Sequence, residues 1–211
     1  MICTSIAEEG LDACMKALES AEFAEIRLDR TKLSKEEVVQ LFSTSKKLIA
    51  TYREGDNKET RKRVLLLAID SGASMVDIEL ESPDEYRKEI IERAREKNCE
   101  VIVSYHNYEK TPSRAELEAI IEQCFDKGAD IAKIACKANS KGDSARLLGL
   151  LDSKKRLVVI GMEEAGRITR IAGPLLGSEI AFVSADSGKE TAKGQLGREK
   201  MEKILEVLKN D

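Results

Sequence analysis

A lysine inside an apolar segment is the first residue of this sequence whose setting suggests chemistry. Lys133 lies in the segment 130–136, DIAKIAC, which is apolar on both sides of the lysine. An ammonium taken out of water is costly unless it is paired, so we expect a lowered pKa and a partly neutral amine. Such an amine in a dry pocket is a nucleophile for carbonyl carbon. On position alone, Lys133 could equally extend toward solvent or close a buried ion pair.

A histidine provides the second candidate for chemistry. His106 is the only histidine among the 211 residues, and it ends the apolar segment 101–106. A lone histidine is often structural, but its ordinary pKa makes it the usual general acid or base near neutral pH. Because it ends the segment that precedes the lysine segment along the chain, we favour an acid/base role for His106.

An alternation of short apolar segments and amphipathic stretches must position these two residues. We predict eight strands, each followed by a helix; the strands are 2–6, 24–29, 47–53, 75–80, 101–106, 130–136, 156–162 and 181–185. Eight such units in this length predict a compact (β/α)8 barrel that forms one domain over residues 1–211. An open doubly wound sheet is the alternative, but the turn after the first strand has one glycine where that fold usually has a glycine-rich phosphate turn.

The strand period of two places charged residues on one face of several predicted strands. The opposite faces are apolar and must meet the helices, so the charged faces are expected to point into the barrel. A barrel interior built only for stability is filled with Val, Ile and Leu, so this pattern favours a site over a purely structural ion-pair network. The inward residues are Glu25, Arg27, Asp29, Arg53, Asp77, Glu79, Ser104, His106 and Lys133.

Composition excludes several function classes. The net charge is -4 and the sequence pI is about 5.4, which argues against a nucleic-acid-binding surface. No apolar run approaches the length of a membrane-spanning helix and no signal-peptide segment is present, so we expect a soluble cytoplasmic protein. The five cysteines are scattered without metal-ligand spacing, and we expect reduced, buried thiols and no metal site.

Taken together, these segments resemble the type I 3-dehydroquinate dehydratases of the shikimate pathway. No single motif is specific, but they follow the family's order from the first strand to the last loop. The matching segments are 25–29 (EIRLD), 51–53 (TYR), 77–79 (DIE), 104–107 (SYHN) with Thr111-Pro112, the strand of Lys133, 166–170 (GRITR) and 194–195 (GQ).

The resemblance implies a lyase that needs neither metal nor cofactor. Lys133 would form an imine, or Schiff base, with the ketone of 3-dehydroquinate, and this electron sink would acidify the neighbouring C–H bond. His106 would assist imine formation, remove that proton and return a proton to the departing hydroxyl. Hydrolysis of the imine would then release 3-dehydroshikimate. The family is often dimeric, so the resemblance also implies a homodimer.

The resemblance further implies a set of substrate-binding residues. Arg170 would pair bidentately with the substrate carboxylate, and Gln195 with Thr191 would bind the carboxylate or hydroxyls. Three residues of the second and third strands would hold the ring hydroxyls, and Ser5 at the end of the first strand is a further candidate; those three are Glu25, Arg27 and Arg53.

The chain departs from the family pattern at several places. Many members carry a hairpin before the first strand that closes the base of the barrel, whereas here the first strand begins at residue 2, so we expect a base that is open or covered by a partner. Some members have a glutamate four residues after the third-strand arginine; Asn57 stands there, leaving Glu54 or Asp56 to orient His106. Lys193 replaces a common proline before the Gly-Gln pair.

Two other functions remain open on the residues themselves. A Schiff-base aldolase for sugar phosphates would need a phosphate site after the last two strands, and the segment 187–190 (SGKE) lacks the features of a P-loop. A barrel that only binds a small acid as a sensor is the non-enzyme alternative. The combined presence of Lys133 and His106 argues against it.

Overall fold

The computed structural model describes residues 1–53, 55, 57–185 and 194–208. Within them, strands and helices alternate from end to end. The strands are β1 Ile2–Ile6, β2 Phe23–Arg27, β3 Lys47–Thr51, β4 Met75–Glu79, β5 Glu100–Asn107, β6 Ile131–Lys137, β7 Leu157–Met162 and β8 Ala181–Ser184. The helices are α1 Leu11–Glu19, α2 Lys35–Phe42, α3 Lys58–Asp70, α4 Asp84–Glu96, α5 Arg114–Asp126, α6 Lys141–Leu148, α7 Glu163–Leu175 and α8 Arg198–Val207.

All strand pairs are parallel; β1 to β7 pair in sequence order, and β8 pairs with β1. The order is β7-β6-β5-β4-β3-β2-β1-β8, so the chain folds as the predicted (β/α)8 barrel and not as a doubly wound sheet. In the described residues no ladder joins β7 to β8. That seam is bridged at the base, where the Glu179 backbone N–H donates to the Leu157 carbonyl (2.8 Å) and the Ser178 hydroxyl accepts from the Val159 N–H (3.2 Å).

Local sequence signals account for most helix starts. Ser34 caps α2 and Ser113 caps α5, each in a capping box with the glutamate three residues later. The fourth helix lacks a side-chain cap and begins at Asp84 with Pro83 in the cap position. The ring of Pro83 fixes its φ (−55°), and its ψ of 144° is extended.

The two faces of the sheet follow the period-two pattern. The outward residues of β2 to β6 pack against the helices in one large apolar cluster, which includes Ile26, Val76 and Ile134. Inward residues near the base form a second apolar cluster. It fills the lower interior with the chain's own side chains and reaches the upper barrel through Ile160, Met162 and Phe182, whereas a partner that covers the base stays a prediction. Its members near the base include Cys3, Phe23, Ile49, Met75, Ile102, Ile131, Val158 and Ile180.

No helix in the described part of the chain is both long and apolar enough to span a membrane. The five cysteines, Cys3, Cys14, Cys99, Cys124 and Cys136, are buried and free. Burial raises the pKa of four of these thiols to about 12, and that of Cys3 also rises well above its ordinary value. They therefore behave as small apolar side chains of the core.

Candidate active site

A cavity of about 550 Å³ opens at the carboxyl ends of the strands, within the size range of small-molecule sites. This is the end at which barrel enzymes place their chemistry. Every predicted site residue that the structure describes lines it, whereas Thr191 lies outside the described residues. The residues brought together are Ser5, Glu25, Arg27, Arg53, His106, Lys133, Arg170 and Gln195.

Lys133 lies at the bottom of this cavity, on the inward face of β6, and is 4% exposed. Its Nζ donates to the Asp77 carboxylate at 2.9 Å and lies 3.8 Å from Glu25 Oε1. The ammonium also stands 4.2 Å from the centre of the Phe182 ring. The lysine is therefore part of a buried ion pair, one of the alternatives considered from sequence, and it also faces the cavity.

Asp77 organises the charges beneath the cavity. Its carboxylate accepts two bonds from the Arg53 guanidinium, both 2.9 Å, one from the Ser104 hydroxyl (2.6 Å) and one from Lys133. Burial would raise the pKa of this carboxyl, but the Arg53 and Lys133 charges outweigh it and hold the pKa well below its ordinary value. Asp77 is thus a permanent anion that fixes two cations.

Glu25 is the second buried carboxylate and connects β1, β2 and β3. It accepts hydrogen bonds from the Ser5 and Thr51 hydroxyls, each 2.9 Å. Gln195 reaches back from the chain after β8 and donates to Ser5 Oγ at 3.2 Å. The glutamate therefore fixes the positions of two of the predicted binding residues, Ser5 and Gln195.

Two arginines, one at the end of β2 and one just after β3, carry positive charge to the cavity wall. The Arg27 guanidinium makes a two-pronged contact with Asp29, with distances of 3.0 and 2.7 Å. Arg53 lies above Asp77 and within 4.0 Å of Glu25 and Glu79. Burial would lower the pKa of Arg53, but the three carboxylates raise it, so this guanidinium stays charged.

His106 lies on β5 beside the lysine strand. Its Cα is in register with that of Ala135, and Ser104 is in register with Lys133. Burial, followed by the charges of Arg53 and Lys133, lowers the pKa of His106 well below the ordinary histidine value, and Asp77 opposes this only in part. A ring that remains neutral at physiological pH is able to accept a proton.

One aromatic ring of the described residues stacks on His106. Tyr108 stacks on it with an interplanar angle of 11° and a centroid distance of 6.0 Å. Among the described residues Nδ1 has no hydrogen-bond partner. Glu54 and Asp56, the predicted candidates for orienting this ring, lie outside the described residues.

Arg170 reaches the cavity from a helix, although the helices lie outside the sheet. Its helix α7 packs against both β7 and β8, where the ladder is interrupted, and the side chain is buried. Close approach of α7 to β7 depends on two glycines, because a Cβ on Gly166 would lie 2.2 Å from the Gly161 carbonyl carbon. Thr169 ties the two segments together by accepting from the Gly161 N–H at 2.7 Å.

Sequence reasoning did not assign several residues that lie in the cavity or beneath it. Asp77 was placed inside the barrel but given no site role, and its importance appears only from the register that puts Ser104, Arg53 and Lys133 around it. Lys137 continues the inward period of Lys133, a signal that was present in the sequence. Further lining residues were not predicted; they are Tyr108, Ala135, Ile160, Met162, Glu163 and Phe182.

The arrangement combines a buried amine, a neutral histidine and several fixed cations. In the described part of the chain no group of three or more His, Cys, Asp or Glu side chains is placed to hold a metal ion. A carbonyl compound with a carboxylate would find a nucleophile, a base and arginine partners in one cavity.

Comparisons with known proteins agree with this geometry. The model of the Type I 3-dehydroquinase family matches residues 2–211. A 3-dehydroquinate dehydratase of Methanocaldococcus jannaschii is 34% identical over 222 residues, covering 99% of both chains. One of Methanosarcina mazei is 36% identical over 224 residues, covering 97% of this chain and 93% of the relative. The crystal structure of the Aquifex aeolicus 3-dehydroquinate dehydratase superposes with a TM-score of 0.84 at 27% identity, covering 98% of each chain.

Proposed function

The chain belongs to the type I 3-dehydroquinase family, the hydro-lyases of the shikimate pathway, and we propose that it dehydrates 3-dehydroquinate through an imine on Lys133. The observation that carries this proposal is the shared cavity of Lys133 and His106, on adjacent strands of the barrel. Covalent catalysis by a lysine needs a carbonyl substrate and a nearby group that moves protons. Both functional groups face the same space.

We propose the following steps for the reaction. The Lys133 amine attacks the substrate ketone, and loss of water from the carbinolamine gives a protonated imine. The imine withdraws electrons, so His106 removes a proton from the neighbouring carbon and an enamine forms. Electrons return from the enamine, the hydroxyl one carbon further leaves with a proton from His106, and hydrolysis of the imine frees 3-dehydroshikimate and Lys133.

Asp77 supplies the negative charge beside Lys133, the proposed nucleophile. In the resting protein its carboxylate accepts a hydrogen bond from Nζ at 2.9 Å. The protonated imine on this nitrogen is a cation, and Asp77 faces it. The carboxylate therefore stabilises the electron sink from which the C–H bond is broken.

The binding residues surround this centre. Arg170 is the proposed partner of the substrate carboxylate, because a guanidinium matches a carboxylate bidentately. Gln195, Ser5 and, from the chain outside the described residues, Thr191 are proposed to bind the carboxylate or hydroxyls. Glu25, Arg27 and Arg53 are proposed to hold the ring hydroxyls from the wall formed by β2 and β3.

We also propose that residues 1–211 form one domain that works as a homodimer in the cytoplasm. Five free, buried cysteines are typical of a reducing compartment. Support for self-association comes from exposed apolar side chains at the ends of α7 and α8, beside a shallow cavity lined by Pro174 and Leu205; they are Leu175, Leu176, Val207 and Leu208. Light scattering after size exclusion would show twice the chain mass, and a charged Leu176→Glu variant should then elute as a monomer.

Borohydride trapping tests the imine directly. The protein is incubated with 3-dehydroquinate, reduced with borohydride, digested and mapped by mass spectrometry. A stable adduct on the peptide that contains Lys133 is expected, and fragmentation must place it on Lys133 and not on Lys137, which lines the same cavity. Dehydration without any adduct would contradict the imine, and absence of both would contradict the proposed function.

A further inference from the structure

A second lysine on the lysine-bearing strand faces the same cavity. Lys137 is the last residue of β6 and follows Lys133 and Ala135 on the inward side, because side chains of a strand alternate between its faces. It lies nearer the cavity mouth than Lys133, since barrel cavities open at the carboxyl ends of the strands. Its side chain is half-buried.

The backbone at this position is held firmly without help from the side chain. The Lys137 carbonyl accepts a hydrogen bond from the Thr111 hydroxyl at 2.8 Å. The residue is also in register with Met162 of β7, and the Ala138 N–H donates to the Met162 carbonyl at 3.2 Å. The side chain can therefore be replaced without removing any of these contacts.

The charge of Lys137 is not neutralised locally. The cations deeper in the cavity have carboxylate partners: Lys133 and Arg53 share Asp77, and Arg27 pairs with Asp29. Across the part of the chain that the structure describes, Lys137 forms no ion pair with any carboxylate, Glu163 on the neighbouring element included. A half-buried ammonium facing a cavity without a counter-ion is a place where an anionic ligand is attracted.

We propose that Lys137 is a specificity residue that attracts the substrate carboxylate at the cavity mouth and holds it beside Arg170. The inference rests on the proposed function and deepens it by naming a second cation for the same anionic group. The two cations stand on adjoining elements, because Met162, the register partner of Lys137, directly precedes the helix that carries Arg170. Charge focused in a cleft raises the local concentration of an oppositely charged substrate.

The test compares steady-state kinetics with 3-dehydroquinate at low and high ionic strength. Lys137→Met keeps the length of the side chain and removes the charge, and Lys137→Arg restores a cation. Lys141→Met is the matched control, because Lys141 is an exposed lysine in the following turn, at the start of α6, and does not line the cavity. Unchanged far-UV circular dichroism confirms that each variant is folded, and Lys137→Gln replaces Lys137→Met if that variant is not.

We expect Lys137→Met to lower kcat/KM about two- to fivefold at low ionic strength, through KM and with kcat unchanged. The difference from the unmodified protein should shrink as salt is added, because ions screen exposed charges. Lys137→Arg should recover the loss, and Lys141→Met should show none.

Three outcomes would overturn the inference: no change in Lys137→Met at low salt, a loss confined to kcat, or a loss that salt leaves intact. The proposed function is judged separately. If the unmodified protein fails to dehydrate 3-dehydroquinate, the proposed function fails whatever Lys137 does. If it is active and Lys137→Met matches it, only the role of Lys137 is lost.

Discussion

On β2 to β6, the upper and lower halves of the barrel interior are built from opposite side-chain chemistry on the same strands. Near the carboxyl ends, Glu25, Asp77 and Lys133 form a buried charged layer that lies under a cavity. Near the amino ends, Phe23, Met75 and Ile102 pack into an apolar floor. Burying charges costs free energy unless they are paired, whereas burying apolar area stabilises the fold, so the floor offsets the cost of the charged layer.

The residues that stabilise the fold and the residues proposed for chemistry therefore lie at opposite ends of the same strands. On β4 the change takes two residues: Met75 belongs to the floor and Asp77 to the charged layer. On β5 it also takes two, from Ile102 to Ser104. Substitutions placed on either side of this boundary should therefore have separable effects on activity and on stability.

The largest effect on activity is expected for Lys133→Ala, a substitution in the charged layer. Loss of the amine removes the proposed nucleophile, so kcat should fall by more than about a thousandfold. The fold should survive, because the variant leaves the apolar floor untouched, and far-UV circular dichroism with a turnover assay would check both points. Substantial residual turnover would argue against an imine on this residue.

Asp77→Asn should lower both stability and activity. Breaking a buried charge pair leaves Arg53 and Lys133 without their shared anion, which should lower the free energy of unfolding by about 3–5 kcal/mol. Turnover should also fall, because the proposed iminium loses its counter-charge. Urea denaturation and kinetics on the same preparation measure the two effects. A variant with normal stability and normal kcat would show that Asp77 is dispensable.

Ile102→Ala, a substitution in the apolar floor, should lower stability without lowering activity. The side chain is fully buried in the floor, so its truncation leaves a cavity and should lower the free energy of unfolding by about 2–5 kcal/mol. Because Ile102 does not line the active-site cavity, kcat/KM should stay unchanged at a temperature where the variant is folded. A loss of kcat/KM comparable to that of Asp77→Asn would remove the distinction between the two layers.

The smallest expected effect is a pH dependence of stability that belongs to the charged layer alone. His106 has a lowered pKa in the folded protein, so as pH falls below about 6.5 the unfolded chain takes up a proton that the folded chain does not. Stability should therefore decline as the pH drops from that value, by at most about 1.4 kcal/mol per pH unit from this group. His106→Gln should flatten that part of the curve, and Ile102→Ala should retain it. Identical slopes in all three proteins would mean that His106 is not buried as a neutral ring.

Much of this organisation was predictable from local patterns. The alternation of strands and helices predicted the barrel, and the period of two predicted which charges point inward, as the cavity confirms for Glu25, Arg53 and Lys133. Those signals are local because each arises within one strand and its neighbouring helix.

What could not be predicted depends on relations between strands. The four hydrogen bonds of Asp77 require β3, β4, β5 and β6 to be in a particular register, and a period within one strand carries no information about register. The filled floor was missed for the same reason, because its residues come from most of the strands and meet only when the barrel closes. The neutral state of His106 depends on burial and on two cations from other strands.

The seam between β7 and β8 has a consequence for local opening of the fold. In the described residues these two strands share no ladder, and bridging hydrogen bonds are found only at the base, around Ser178 and Glu179. Amides that lack a strand partner lose protection against hydrogen exchange at a lower free-energy cost than amides of central strands. Exchange should therefore proceed outward from this seam and reach β4 and β5 last. The helix that carries Arg170 lies over the seam, so the interrupted edge of the sheet is also the wall against which we propose the substrate carboxylate is held.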